Sequence, residues 1–100
     1  MKKRFLKSKP VCKVTFELPL QAANGAARVT LVGDFNGWDP VTTPMKRHKD
    51  GTYRLILDLL RDREYQFRYL IDGERWENDW EADKYLPNHT GDSENSVVVT

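Results

Sequence analysis

Three runs of this chain place apolar residues at every second position, and Gly-containing turn dipeptides stand among them. In residues 64–71, Tyr65, Phe67, Tyr69 and Ile71 fall on one face of an extended segment, with Gln66, Arg68 and Leu70 on the other. In residues 11–18, Cys12, Val14, Phe16 and Leu18 alternate with Lys13, Thr15 and Glu17; residues 52–59 repeat the pattern with Tyr53, Leu55, Leu57 and Leu59. A period of two sends successive side chains to opposite faces, so each run predicts a strand with one face on a core. Asn24-Gly25, Asp50-Gly51 and Asp72-Gly73 supply the turn chemistry between runs. Residues 28–33 and 96–100 add β-branched strands, and residues 45–48 a short one. Between 34 and 44, Gly37, Pro40 and Pro44 forbid a regular central strand and predict an ordered loop. Residues 76–95 are polar, acidic and loop-like, and residues 19–27 read as a turn. Residues 58–64 could pass for a helical turn, but the flanking alternation outweighs them. The chain is predicted to be an all-β, antiparallel β-sandwich.

A chain of 100 residues makes one domain. Residues 1–10 read as a basic N-terminal arm or edge segment, and residues 11–100 as the single sandwich. Hydrophobic residues at 39% and charged residues at 31% suit a globular chain. A formal net charge of +1 supplies no global field for nucleic acid or a membrane surface, and no apolar run is long enough to span a bilayer. The basic start has no apolar stretch behind it, unlike a secretory signal. The single cysteine, Cys12, cannot pair internally, which fits a reducing compartment. The expected location is the cytoplasm, with neither nucleic acid nor membrane as a partner.

Two segments carry the chemistry. Leu31-Val32-Gly33-Asp34-Phe35-Asn36-Gly37-Trp38 and Tyr65-Gln66-Phe67-Arg68-Tyr69-Leu70-Ile71-Asp72-Gly73-Glu74-Arg75-Trp76 each run from a strand through a glycine turn to a tryptophan. A large indole past a turn either caps the core or forms a platform for a flat ligand. Arg68 faces away from the core; its guanidinium can fork two vicinal hydroxyls or simply sit on a solvated face. The carboxylates are scattered, and a chain this short has little room for the two-carboxyl cleft that glycoside hydrolysis needs. Asp34 and Asp72 read as turn residues. His48 and His89 are isolated, the acids at 78–83 lack calcium-loop spacing, and Cys12 faces inward. No metal, no cofactor and no catalytic residue is expected.

The two segments, with the close Gly91…Asn95-Ser96-Val97, resemble carbohydrate-binding module family 48 over roughly residues 11–99. That family includes the glycogen-binding domain of the AMP-activated protein kinase beta subunit and the early-set domain of isoamylases and branching enzymes. The resemblance implies an immunoglobulin-like, early-set sandwich that binds α-glucan (glycogen, starch or malto-oligosaccharide) without catalysis. It implies stacking of glucose rings on Trp38 and Trp76, with Asn95 hydrogen-bonding their edges and Arg68 standing where the kinase domain has a sugar-contacting lysine. Trp80 departs from the proline common there and is a candidate third stacking face or loop packer. Thr90 stands near the position of a leucine that the kinase domain projects. The loop is one residue longer, so Asp92 or Ser93 matches the family's threonine; Ser93 is a further candidate. The implied consequence is weaker or differently tuned binding. The alternative function is a regulatory or scaffold module that docks a glycogen-metabolising enzyme, a kinase-like complex or another protein partner.

Overall fold

The computed structural model describes residues 1–88 and 93–100. Its strands are β1 (Lys2–Phe5), β2 (Val11–Leu18), β3 (Val29–Gly33), β4 (Lys46–Arg47), β5 (Tyr53–Leu60), β6 (Glu64–Ile71), β7 (Arg75–Glu77), β8 (Lys84–Pro87) and β9 (Glu94–Val99). One sheet has the order β1-β2-β5-β4; the second has the order β3-β6-β9-β8, with β7 also paired to β6. Every strand pair is antiparallel. This is the all-β sandwich that the alternation predicts.

The core lies where the two apolar faces meet. Cys12, Val14, Phe16 and Leu18 from β2 oppose Val29 and Leu31 from β3, Phe67, Tyr69 and Ile71 from β6, and Val98 from β9, all buried. Phe16 and Phe67 pack edge to face with ring centroids 4.9 Å apart, and Tyr69 continues the stack edge-on to Phe67 at 5.8 Å. Gly33 lets β3 approach β6: a Cβ there would lie 2.5 Å from the Gln66 carbonyl oxygen and 2.7 Å from the Phe67 Cβ.

Two stretches read as irregular hold regular structure. Within residues 19–27, Leu20–Ala23 forms one helical turn, α1, ended by Asn24 in the left-handed conformation (φ 47°) donating its N–H to Leu20 O. Ala22 and Ala23 are buried there; four residues are too few for a periodic signal. Within residues 76–95 lie the end of β7, all of β8 and the start of β9. The residues of β8 are polar or half-exposed because it is an edge strand, so the alternation that betrays the other strands is muted. At the opposite end of the chain, Lys2–Phe5 forms the outer strand of the first sheet, and Lys3 Nζ reaches Asp83 Oδ2 at 2.5 Å. Among the described residues no helix is long and apolar enough to cross a membrane.

Candidate functional site

Strand register decides which polar side chains meet. Antiparallel partners sit side by side on one face of a sheet, and residues two apart on a strand share that face. Phe67, Tyr69 and Ile71 point into the core, so Gln66, Arg68 and Leu70 point out. Leu70 pairs with Trp76 of β7, and Arg68 pairs with Val32 of β3. Gln66 pairs with Val97 of β9 and Phe67 with Ser96. The same register carries Asn95 of β9, two residues before Val97, onto the outer face beside Arg68. Residues far apart in the chain thus share one patch of the second sheet.

Trp38 reaches that patch by a different route. After β3, Asp34–Asn36 makes a single 3-10 turn, with Gly37 and Trp38 both left-handed (φ 66° and 59°). The Trp38 N–H donates back to Gly33 O at 2.9 Å. Asn36 pins the loop: its amide nitrogen donates to Leu31 O at 3.0 Å and Thr43 Oγ1 at 2.9 Å, and its carbonyl accepts the Gly33 N–H at 3.1 Å. Asp34 holds the indole, its Oδ1 accepting from Trp38 Nε1 at 2.9 Å and its Oδ2 from the Gln66 N–H at 2.7 Å. Asp34 is therefore more than the turn residue its sequence context indicates. Asp34→Ala is expected to lower unfolding free energy by about 1 kcal/mol and to shift the Trp38 indole N–H resonance; chemical denaturation and an NMR spectrum check both.

The result is an open groove of about 350 Å³ lined by Asp34, Trp38, Gln66, Arg68, Trp76, Asn88 and Asn95. All four residues singled out as primary candidates, Trp38, Arg68, Trp76 and Asn95, line it. Trp38 is half-buried, whereas Trp76 is 42% exposed. The Arg68 guanidinium lies 5.7 Å from the Trp76 ring centroid, within cation–π range. Its Nε is buried with no hydrogen-bond partner among the described residues. Asn95 is 9% exposed and donates Nδ2 to Gln66 Oε1 at 3.1 Å. Gln66 and Asn88 line the groove without having been site candidates in the sequence. For Gln66 the signal was available, since it shares the outward face with Arg68.

Of the secondary candidates, Trp80 and Ser93 are absent from the groove lining. Trp80 is 57% exposed and its indole donates to Glu77 at 3.3 Å. It borders a different, smaller hollow with Met1, Glu17, Pro19, Asp79 and Glu81. Ser93 does not line the groove but accepts the Asn88 backbone N–H at 2.9 Å and is also bonded by the Asn88 side chain. Thr90, with His89, Gly91 and Asp92, lies outside the described residues. Asp72 holds a turn position, left-handed at φ 54°, and one of its carboxylate oxygens also takes the Ala27 and Arg28 N–H groups at 2.8 and 3.0 Å, tying the turn to the start of β3. Cys12 is buried in the core.

A preformed aromatic groove, open to solvent on one face of a β-sandwich, is the architecture of a binding module. Residues 21–86 match the model of carbohydrate-binding module 48, the isoamylase N-terminal domain, and the chain belongs to that family. The match spans Trp38, Arg68 and Trp76 and ends before Asn95. The chain is similar to protein PTST homolog 2, chloroplastic, of Arabidopsis thaliana, at 31% identity over 77 residues, 76% of this chain and 13% of that protein. It is also similar to a 1,4-alpha-glucan branching enzyme of Cupriavidus pinatubonensis, at 39% identity over 51 residues, 50% of this chain and 7% of the enzyme. A third relative, a branching enzyme of Xanthomonas campestris, is 50% identical over 32 residues, 32% of this chain and 4% of the enzyme. The chain thus corresponds to a small part of each of these proteins.

Proposed function

We propose that the outer-face groove binds α-glucan without catalysing a reaction on it. The observation that carries this reading is the convergence of Trp38, Arg68, Trp76 and Asn95 on one open groove of about 350 Å³. A glucose ring has flat faces of axial C–H groups and a rim of hydroxyls. An indole face removes the C–H surface from water, while Arg68 and the amides meet the rim. Two of the relatives are 1,4-alpha-glucan branching enzymes, which supports the choice of polymer. Asp34 is the one carboxylate lining the groove among the described residues, and both its oxygens accept protein hydrogen bonds. Glycoside hydrolysis needs two carboxyls across the bond, so this arrangement supports binding over turnover.

The groove is shallow and excludes little water, so dissociation constants on the order of micromolar to millimolar are expected for short oligosaccharides. The relatives carry the matching stretch within much longer proteins, which supports a role in holding a glucan-acting partner at its polymer. The test is native electrophoresis in gels with and without glycogen, where multivalency amplifies a weak site. Retardation of the wild type, lost in Trp38→Ala, is the expected result. A wild type that migrates equally in both gels would sink the proposal.

A further inference from the structure

We propose that Gln66 is itself a ligand-contacting residue, forming with Asn95 one donor–acceptor unit that reads adjacent sugar hydroxyls. The inference rests on the glucan reading of the groove and adds to it a specificity-determining side chain. Asn95 is 9% exposed, and its Nδ2 is committed to Gln66 Oε1 at 3.1 Å. That bond sets the two amides in opposite senses, with Asn95 as donor and Gln66 as acceptor in this structure. Asn95 keeps its carbonyl Oδ1 as an acceptor with no partner among the described residues, and Gln66 keeps both N–H donors of Nε2 likewise. Both residues line the groove.

A hydroxyl pair on a pyranose rim can both give and take hydrogen bonds, so a fixed acceptor beside a fixed donor is its complement. Arg68 offers donors only, and the Trp38 indole N–H is spent on Asp34. Gln66 is also held in place before any ligand arrives. Its backbone N–H donates to Asp34 Oδ2 at 2.7 Å, its Cα is in register with Val97, and its side chain is tied to Asn95. A side chain already ordered loses little entropy on binding.

The experiment titrates maltoheptaose against intrinsic tryptophan fluorescence for wild type, Gln66→Glu, Gln66→Leu and Trp76→Ala, with thermal unfolding of each. Gln66→Glu keeps an oxygen to accept from Asn95 and removes the donor. Affinity about tenfold weaker than wild type at pH 7 is expected. The gap to wild type should narrow as pH falls through the carboxyl range near about 4.3, because a protonated carboxyl can donate again. Gln66→Leu should lose at least as much affinity, with a ratio to wild type that does not change with pH. Gln66→Glu within twofold of wild type, while Trp76→Ala destroys binding, would overturn the inference and leave the glucan site standing. So would a Gln66→Glu loss that does not change with pH, or one matched by a lower unfolding midpoint. A wild type with no affinity for maltoheptaose would overturn the glucan reading and this inference together.

Discussion

Trp76→Ala is expected to abolish retardation by glycogen, with a loss of binding free energy of about 1.5–3 kcal/mol. The indole is 42% exposed in the free protein, so its face is available to a ligand without rearrangement. Losing that apolar face removes about 1.5–3 kcal/mol of burial. The same ring lies against Arg68, 5.7 Å from the guanidinium carbon to the centroid; that cation–π contact is made without ligand, so its loss, about 0.5–1 kcal/mol, falls on stability and not on binding. A site that starts at micromolar to millimolar affinity falls out of range. Stability should drop by only about 1 kcal/mol, because Trp76 sits on a three-residue strand and shields little beyond its register partner Leu70. Trp80→Ala is the control: it lies outside the groove and should leave retardation unchanged. Equal loss of retardation in both variants would mean that the exposed indoles act as nonspecific apolar surface.

The outward direction of the groove residues on β6 is legible in the sequence. Tyr65, Phe67 and Tyr69 alternate strictly, which fixes the outward direction of Gln66 and Arg68 before any coordinates exist. Strand register then does the assembly, and register across β6, β7 and β9 follows from pairing partners that no local pattern names. Trp38 was legible as a candidate, yet its approach to the sheet depends on Asn36 and Asp34 reaching back across the loop, contacts that look like ordinary turn residues. Residues 76–95 were misread for a physical reason. Short edge strands with polar, half-exposed residues carry no alternation, and their stability comes from side-chain hydrogen bonds instead. Asp79 reads as one acid among many in the sequence and is 4% exposed in the fold.

Asp79→Ala is accordingly the stability prediction with the largest expected effect, about 3 kcal/mol, or roughly 10–20 °C in Tm. Its Oδ2 accepts from the Tyr69 hydroxyl at 2.6 Å and its Oδ1 from the Glu81 N–H at 2.7 Å. Its backbone N–H donates to Ser96 Oγ at 2.8 Å, and its carbonyl accepts from Tyr85. Asn78, the neighbour, takes the Ser96 N–H and hydroxyl on its own side-chain oxygen at 3.0 and 2.8 Å. The segment joining β7 to β8 is thus fastened to β6 and β9 through buried polar groups, and truncation leaves the Tyr69 hydroxyl only the longer contact with the Glu17 carbonyl, at 3.4 Å. Burial, then the Asp79 charge and its hydrogen bond, hold the Tyr69 hydroxyl well above its ordinary value of 10.0. The sign follows from proton binding. Above about pH 10 the unfolded chain gives up this proton while the folded chain keeps it, so stability is full below that pH and falls as pH rises beyond it. Tyr69→Phe should flatten that alkaline decline, and Asp79→Ala should reduce it without erasing it, since burial remains. Denaturation midpoints measured from pH 7 to 11 decide the matter: an alkaline slope identical in wild type and Tyr69→Phe would show that the buried hydroxyl does not couple folding to pH.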